Sequence, residues 1–379
     1  MATTQRVQQL IKDNYLDMNQ RLEWYDRYRT DKLPITEKVA PSYLADDKTA
    51  PVNRLVLTYE TEIVNNRVNY LMANPYMIQY SDPEESETVQ EQRAKQIADF
   101  IKDTDFHHLL MDTAISAGAG GASAIVAYQM EGNKIGLLSC APWEYSIVQN
   151  ADQTETIEAV RYWVSKGADD KGNTTYTVHA EYYDTNTVTV FQGQTNTNTA
   201  PDLVNCPPLV QVEEYPHFFG QVPLFELANN SELQPSFYKV ISLIDAQNRL
   251  HSDFVNEMES FRHAYMMLTN YCGDAETAKS LRDARVIAVD DNGDAKFITK
   301  DINPEAFKQI TEQLDRAIER FSGNLDYSDP EVYGRATNLA ISTRVKPLEN
   351  AAKSLSLQID CMLNKLLRLF PISGMWCLL

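Results

Sequence analysis

The chain has 379 residues, 43% of them hydrophobic, and its 53 acidic against 34 basic side chains give a formal charge of −19. This length allows two or more packed domains, and the hydrophobic content excludes a disordered or fibrous protein. The excess of acidic residues argues against a surface that binds DNA through its overall charge, because such binding depends on clustered Lys and Arg.

The terminus and the cysteines point to a protein of a reducing compartment. The five cysteines are scattered, without C-x-x-C spacing, and the first residues, MATTQRVQQLIKDN, lack the basic and apolar regions of a signal peptide. The longest uncharged stretch, 113–130, is interrupted by three glycines. We therefore expect a buried helix end and a core strand there, and no membrane span.

The first hundred residues are predicted to be helical. An apolar stripe of Leu55, Tyr59, Ile63, Tyr70 and Leu71 stops before Asn74 and Pro75. Another helix is predicted to begin in an acidic run over 81–91, and we interpret these acidic residues as a solvated face of that helix.

From Gly121 the pattern changes to that of strands. Residues 122–130 and 134–148 predict a hairpin, and further strands are predicted over 157–166, 176–184 and 187–193. Together they indicate a β-rich domain over roughly 121–215. The glycines at 118–121 are not followed by Lys-Ser or Lys-Thr, so they predict a helix-to-strand junction and not a phosphate-binding loop.

After Pro223 the chain is predicted to be helical. Apolar residues from Phe237 to Tyr265 follow helical spacing and predict one helix of about 50 Å. The other face is polar and we expect it to be in water along its whole length. Its residues are Asp245, Asn248, Arg249, Ser252, Asn256 and Glu259.

The last hundred residues predict a hairpin, two helices and a long link. Asn292-Gly293 supplies a tight turn between 284–289 and 295–300. Asn303 caps a helix that begins at Pro304 and ends before Gly323. A polar link over 326–346 precedes a final helix that ends before Pro371, and links of this length are usually functional or mobile.

No motif for catalysis is found in the sequence. His107 and His108 are adjacent and point to different faces, and no H-E-x-x-H or G-x-S-x-G pattern occurs. Adjacent acids such as Glu213 and Glu214 say little about a catalytic pair. We expect no enzyme activity, metal or cofactor.

Four stretches, in this order and spacing, resemble the portal proteins of tailed double-stranded DNA bacteriophages, of the type found in long-tailed phages of Gram-positive bacteria. The first, 50–75, contains a helix and an Asn-Pro turn, and the second, 117–148, has small residues that lead into a hairpin and the sequence Pro-Trp-Glu. The third, 219–261, has the pattern P-x-x-E-x-x-N-N before a long helix. The fourth, 323–355, has a polar loop followed by a helix. The match covers most of residues 50–360.

The resemblance implies an α+β portal fold. It assigns a wing to 1–232, with a helical start and the β-rich part 121–215, a first stem helix to 233–268, a small α/β clip to 269–301, a second stem helix to 302–325, a tunnel loop to 326–343, and a long returning wing helix to 344–379. Portals of this type usually continue into a crown. We expect the crown to be absent or truncated here.

The resemblance also implies partners. We expect a ring, usually of twelve subunits, at one capsid vertex, through which double-stranded DNA is packaged and ejected. It would contact the terminase large subunit, the head-tail adaptor, and the major capsid and scaffold proteins. The ring would assemble in the host cytoplasm and reside in the virion.

Site residues follow from these positions. A channel must let a polyanion pass without holding it, so acidic side chains should dominate the wall and isolated arginines should touch phosphates only transiently. The expected channel-lining stem residues are Asp245, Asp253 and Glu259. The tunnel-loop residues are Asp326, Asp329, Glu331, Tyr333, Arg335, Asn338 and Arg344. The clip residues that face the motor or connector are Asp274, Glu276, Asp290 and Asp291. The subunit-interface residues are Ile244, Phe254, Phe261, Ile310 and Ile318.

Two other classes stay open at this point. A hydrolase with a β-rich catalytic domain and a helical cap would be a monomer or dimer with a closed acidic pocket in the β domain. A non-portal capsid or scaffold protein would have no axial hole.

Overall fold

A computed structural model describes residues 4–37, 52–81, 86–131, 134–168, 174–195, 207–260, 265–269, 294–298, 303–325, 338–369 and 375–378. The chain divides into two compact units. The first unit contains 1–33, 58–241 and 319–379, and the second contains 34–57 and 242–318. Residues 34–57, which we expected in the helical start of the wing, thus cluster with the residues predicted to form stem and clip.

The described residues combine helices and antiparallel sheets, which makes the fold α+β, as predicted. The helices are α1 Thr4–Asp13, α2 Tyr15–Tyr28, α3 Pro34–Glu37, α4 Tyr59–Met72, α5 Glu87–Asp103, α6 Phe106–Gly120, α7 Ile241–Ser260, α8 Pro304–Ser322 and α9 Asn338–Leu367. None of the described helices is both long enough and apolar enough to cross a membrane.

The strands form antiparallel sheets. They are β1 Ile78–Ser81, β2 Ala122–Met130, β3 Lys134–Cys140, β4 Tyr145–Gln149, β5 Thr156–Ala168, β6 Thr174–Tyr183, β7 Thr187–Thr195, β8 Val210–Pro216, β9 Leu224–Ala228, β10 Tyr265–Thr269, β11 Asp294–Ile298 and β12 Met375–Leu378. One sheet has the order β4-β5-β6-β7-β8, a second has β3-β2-β9, and β1-β12 and β10-β11 are pairs.

The core of the first unit lies on both faces of the five-stranded sheet. On one face, α1 and α2 bring Val7, Ile11 and Met18 against Tyr162 and Phe191. On the other face, Tyr183 and Val188 pack with residues of the three-stranded sheet and its flanks, which include Ala124, Cys140 and Leu224. Because both faces of the sheet are covered, consecutive residues such as Ala159 and Val160 in β5 and Tyr182 and Tyr183 in β6 are buried together.

The strands predicted within the described residues are present, with two differences. Residues 141–144 form a turn, so the predicted strand over 134–148 is divided between β3 and β4, which belong to different sheets. Pro142 has no N–H for a ladder, which favours a break there. Residues 224–228, predicted to be helical, form β9 and pair with β2, because the sheet and not local periodicity fixes their conformation.

The apolar stripe predicted for α4 is confirmed at Ile63, which is 1% exposed, but is wrong at Leu55 and Tyr70. Leu55 lies before the helix and is 37% exposed, and Tyr70 is 41% exposed. Val64 and Val68 are the other buried apolar residues of α4. Which face of α4 is buried depends on its packing against α6 and α9, and the local sequence does not reveal these neighbours.

The first long helix is shorter than predicted. Residues 238–240 form a 3₁₀ turn, and α7 covers Ile241–Ser260. Residues 265–269, predicted to continue the helix, form β10, and Tyr265 pairs with Ile298 of β11. A short apolar run such as Tyr-Met-Met-Leu-Thr does not distinguish helix from strand by periodicity. The predicted strand 284–289 lies outside the described residues.

The boundaries predicted for α8 are confirmed. The Asn303 Oδ1 atom accepts a hydrogen bond from the Ala306 N–H at 3.0 Å, as an N-cap does. Gly323 follows the helix with a φ of +71°. In contrast, α9 begins at Asn338, so residues 338–343 are helical and do not belong to the predicted loop; they contain no Gly or Pro that would oppose a helix.

Candidate functional site

An extended segment, 52–57, lies along one face of α7 in the second unit. The Leu57 N–H donates to Asn248 Oδ1 at 2.8 Å, and the Leu55 N–H donates to Ser252 Oγ at 2.9 Å. Asn256 binds the backbone of Asn53 twice, since its Oδ1 accepts from the Asn53 N–H at 2.6 Å and its Nδ2 donates to the Asn53 carbonyl at 3.2 Å. We call Asn248, Ser252 and Asn256 the polar stripe.

The geometry of this contact follows from two repeats. Four residues of a helix rise about 6.0 Å, and two residues of an extended chain span about 6.6 Å. Side chains at i, i+4 and i+8 therefore reach every second amide of the segment. Asn248 and Ser252 are 1% exposed. Our prediction that this face is in water along its whole length is wrong, because the polar side chains bind the backbone of 52–57.

A second face of α7 packs on α8. Ile244 is fully buried, the Gln247 Nε2 atom donates to Asp315 Oδ1 at 2.7 Å, and the rings of Phe254 and Phe307 stack with centroids 3.8 Å apart. Gln247 Nε2 also donates to the Thr311 carbonyl at 3.4 Å, so ring stacking and the hydrogen bonds of Gln247 connect the two helices.

The third face of α7 carries charge. Asp245, Arg249 and Asp253 are spaced by four residues, and we call them the charged stripe. Asp245 is half-buried, while Arg249 and Asp253 are exposed. Glu259 is also exposed, and its Oε2 atom accepts from Asn53 Nδ2 at 2.9 Å. The predicted lining residues therefore lie on two different faces of α7.

The predicted interface residues have different surroundings. Ile244 and Ile318 are 0% and 2% exposed within the chain, so they are not free to contact a neighbour, and that part of the prediction is wrong. Phe254 is half-buried in its stack on Phe307. Ile310 is 47% exposed, and Phe261 lies outside the described residues.

The exposed apolar residues of α8 form a stripe of their own. Ile310, Leu314 and Phe321 follow helical spacing, and Phe321 is 57% exposed while Leu314 is half-buried. The residues that α8 buries, Ile318 among them, lie on an adjacent face. The sequence showed one apolar face, whereas the structure divides it into a buried and an exposed part.

Most predicted loop and clip residues lie outside the described part of the chain. These are Asp274, Glu276, Asp290, Asp291, Asp326, Asp329, Glu331, Tyr333 and Arg335. Asn338 is the first residue of α9, and Arg344 is exposed on the same helix.

The end of α8 before the predicted loop is anchored in the first unit. Arg67 on α4 donates from Nη2 to the Ser322 carbonyl at 3.1 Å and from Nη1 to Ser236 Oγ at 3.0 Å. Asn66 Nδ2 donates to Asn324 Oδ1 at 3.0 Å. Burial lowers the pKa of Arg67 to about 10, so the guanidinium stays charged at neutral pH and can satisfy a carbonyl at the helix end.

The motifs that carry the family resemblance meet around the glycines at the end of α6. The Gly121 carbonyl accepts from the Asn229 N–H at 2.9 Å, and the Gly118 carbonyl accepts from the Ser236 N–H at 2.8 Å. Asn229 Nδ2 donates to the Gln234 carbonyl at 2.8 Å and holds the turn closed. The small residues are therefore needed for close approach of the 229–236 backbone.

The Pro-Trp-Glu segment packs at the same junction. A Cβ on Gly120 would lie 2.5 Å from Pro142 Cγ. Arg21 Nη1 donates to the Pro142 carbonyl at 3.3 Å, and the Trp143 ring makes an edge contact with Tyr25 at 4.9 Å. Three motifs far apart in sequence thus form one structural junction.

A cleft of about 560 Å³ beside β4 is relevant to the hydrolase alternative. Glu226 is the one carboxylate among the described residues that line it. Its Oε1 atom accepts from Tyr145 Oη at 2.9 Å and lies 3.7 Å from Arg21 Nη2. Burial, followed by the charge of Glu226, raises the pKa of Tyr145 well above its usual range. The cleft therefore offers no second carboxylate for acid and base roles.

The partner of the polar stripe was not predicted. The spacing of Asn248, Ser252 and Asn256 is visible in the sequence, and short polar side chains at i, i+4 and i+8 are an unusual choice for a solvated helix face. Nothing in the sequence pairs that face with 52–57, because the two segments are 203 residues apart between Asn53 and Asn256.

The sequence profile of the family "Phage portal protein, SPP1 Gp6-like" matches residues 8–371. The chain belongs to this family of phage portal proteins, which confirms the resemblance. The family is structural and not catalytic.

A relative is similar over part of the chain. The "Portal protein" of Clostridium phage phiCD119 is 28% identical over 159 residues, which cover 40% of this chain and 35% of the relative. The match thus spans about a third of the length of that curated protein.

Proposed function

We propose that the chain is the subunit of a closed ring at one capsid vertex, through which double-stranded DNA enters during packaging and leaves during ejection. The observation that carries the proposal is the family match over residues 8–371. Twelve subunits are the number that the family resemblance favours. The virion is the place of action, after assembly in the host cytoplasm.

The described elements receive roles in this proposal. The first unit supplies the wing, to which α9 returns. Helices α7 and α8 are the stem, β10 and β11 are part of the clip, and residues 326–337 are the tunnel loop. The clip is the docking surface for the terminase large subunit and the head-tail adaptor, while the wing faces the major capsid and scaffold proteins.

The channel wall should repel and release DNA. Asp253 on the charged stripe and the acids Asp326, Asp329 and Glu331 of the tunnel loop would keep the duplex from adhering, because capture of phosphates depends on basic side chains. Arg335 and Arg344 would make short-lived contacts. Asp274, Glu276, Asp290 and Asp291 would present an acidic clip to the motor.

The apolar stripe of α8 supports contact between subunits. Ile310 and Phe321 are 47% and 57% exposed, and exposed apolar surface of this kind is typical of interaction sites. A head-to-tail neighbour would cover it, since closed rings use two different surfaces of each copy. This assignment replaces Ile244 and Ile318 as interface residues.

Negative-stain electron microscopy of the purified chain tests the proposal. We expect annular particles with a central opening wide enough for a duplex. Particles that lack the opening when seen end-on would support a non-portal capsid or scaffold protein, and a monomer at high concentration would contradict the ring.

The loop is tested separately. Reversing the charges of Asp326, Asp329 and Glu331 to Lys should leave the rings intact but slow or stall packaging, because twelve copies would then hold the duplex by its phosphates. A control variant with Asp326→Glu, Asp329→Glu and Glu331→Asp keeps the charge at these positions and should package DNA normally. Unchanged packaging after replacement of the whole loop would contradict its role.

A further inference from the structure

The five-stranded sheet of the first unit has two edge strands that differ in composition. β8, at one end of the sheet, contains Glu213, Glu214 and Pro216, and its register with β7 shifts after Val190. Charged side chains, proline and bulges are the usual means by which an edge strand avoids pairing with another chain. β4, at the other end, has the sequence Tyr-Ser-Ile-Val-Gln, which contains neither charge nor proline. The edge of β4 therefore lacks this protection.

The outer edge of β4 presents main-chain groups at every second residue. The Tyr162 N–H donates to the Glu144 carbonyl at 2.8 Å, and the Asn150 N–H donates to the Glu155 carbonyl at 2.9 Å. Residues 144, 146, 148 and 150 thus direct their main-chain groups towards β5, and the residues between them direct theirs away from it. The residues that face away from β5 are Tyr145, Ile147 and Gln149.

These outward residues line the cleft of about 560 Å³ beside β4, a volume within the range of ligand-binding pockets. One end of the edge is closed, because Asn14 Nδ2 donates to the Tyr145 carbonyl at 3.0 Å. In the part of the chain that the structure describes, no strand pairs with β4 on this side. The N–H and C=O groups of Ile147 and Gln149 are therefore open to a ligand.

The charges along the described lining of the cleft balance. The Arg21 guanidinium lies 5.3 Å from the centroid of the Tyr145 ring and 3.7 Å from Glu226, so the one cation and the one carboxylate of this lining offset each other. The side-chain amides of Gln149 and Gln153 also line the cleft, and each can both donate and accept hydrogen bonds. An uncharged ligand with many hydrogen-bonding groups matches such a surface.

We propose that this cleft binds an uncharged, extended segment of another protein chain, which adds to the sheet as a strand beside β4. An extended chain repeats its main-chain groups about every 6.6 Å, which is the repeat between Ile147 and Gln149 on β4. In an antiparallel arrangement one residue of the segment would accept from the Ile147 N–H and donate to the Ile147 carbonyl. The Gln149 and Gln153 amides would bind the neighbouring main-chain or hydroxyl groups.

The experiment measures the binding of a labelled peptide to the full chain by fluorescence anisotropy. The probe is the fluorescein-labelled, amidated peptide Gly-Ser-Thr-Val-Thr-Ser-Gly, and we expect saturable binding. Methylation of the valine amide nitrogen should weaken binding about tenfold, because it removes the N–H that the Ile147 carbonyl accepts. Equal binding of the two peptides, or no saturable binding up to about 1 mM, would overturn the proposal.

Gln149→Pro removes one of the outward N–H groups of β4, and an edge strand tolerates proline at such a position. This variant should bind the peptide about tenfold more weakly, and undiminished binding would count against the β4 edge.

Glu214→Pro is the matched control on the opposite edge. The His217 N–H donates to the Asn186 carbonyl at 2.8 Å, so residue 214, three positions before it, directs its N–H away from β7. Peptide binding should be unchanged in this variant. A loss in Glu214→Pro would place the peptide on β8 and overturn the assignment to β4.

A comparison of isolated subunits with assembled rings distinguishes the partner from a second copy of the chain. The peptide should bind to both forms. Binding to subunits but not to rings would show that a neighbouring copy fills the cleft, which would overturn the separate partner and leave the ring standing. A chain that forms annular particles but does not bind the peptide would likewise contradict this inference alone.

Discussion

Gly121 joins α6 to the central strand β2, and its backbone has a φ of +89°. A Cβ at this position would lie 2.0 Å from the Leu233 carbonyl oxygen, so backbone strain and a clash with backbone act together. Gly121→Ala should lower the free energy of unfolding by about 3 kcal/mol, measured by chemical denaturation.

Gly220 provides the matched control for this substitution. Its φ is +66°, yet a Cβ there would meet nothing within 4 Å. Gly220→Ala should therefore lower the free energy of unfolding by about 1 kcal/mol, which is the backbone strain alone. Equal losses for the two variants would show that the contact with Leu233 contributes nothing.

Glu158 ties the first helix to the sheet. Partial burial acts to raise its pKa, but hydrogen bonds from Arg6 and Tyr182 outweigh burial and lower the pKa below its ordinary value. Because the lowered pKa means that folding favours the ionised carboxylate, Glu158 stabilises the folded state at pH values above its unfolded-state pKa of about 4.3. This stabilisation is lost as the pH falls through the lower pKa of the folded state.

The pH dependence of Glu158→Gln should show this sign. The wild type should lose stability more steeply than the variant between about pH 5 and pH 3, as followed by denaturation midpoints at each pH. Parallel pH profiles of the two proteins would contradict a stabilising role for the carboxylate.

At the scale of elements, the second unit depends on a helix that binds an extended segment by side chains. Since Val52 and Leu55 of the segment remain 47% and 37% exposed, the attachment relies on hydrogen bonds more than on apolar burial. Each such bond contributes about 1 kcal/mol net, which makes the segment 52–57 a unit that can open locally.

Asn256→Ala tests this attachment. The variant loses two hydrogen bonds to the Asn53 backbone, so hydrogen exchange of the amides in 52–57 should accelerate about tenfold. Met258→Ala, a change of a 52% exposed residue on the same helix, should leave this exchange unchanged. Protection that persists in Asn256→Ala would show that other contacts hold the segment.

At the scale of the whole molecule, the exposed stripe of α8 connects folding to assembly. Because Ile310 is 47% exposed, Ile310→Asn should leave the stability of the subunit within about 0.5 kcal/mol. It should nevertheless reduce the fraction of chain in rings severalfold, measured by sedimentation velocity, since a neighbour would have to bury a polar amide without a partner.

Leu357→Asn is the control for this assembly defect. Leu357 is 59% exposed on α9, away from the α8 stripe in sequence. Normal ring formation is expected for this variant. A comparable loss would mean that exposed apolar area in general, and not the α8 stripe, drives assembly.

The sequence by itself determined the features that depend on neighbouring residues. Asn303, Pro304 and Gly323 mark the ends of α8 because capping and positive φ are local requirements. The alternation in β5, β6 and β7 predicted their strands for the same reason. The spacing of the glycine and P-x-x-E-x-x-N-N motifs was enough to indicate the family.

The tertiary structure decided what covers each face. Only the fold shows that the polar stripe of α7 binds residues 52–57, that Ile244 and Ile318 are buried within the chain, and that residues 265–269 form a strand with 294–298. Periodicity reports that a face is polar or apolar, but the partner of that face comes from segments far along the chain. The candidate channel surface was therefore only partly predictable, because its location depends on which faces the rest of the chain has already occupied.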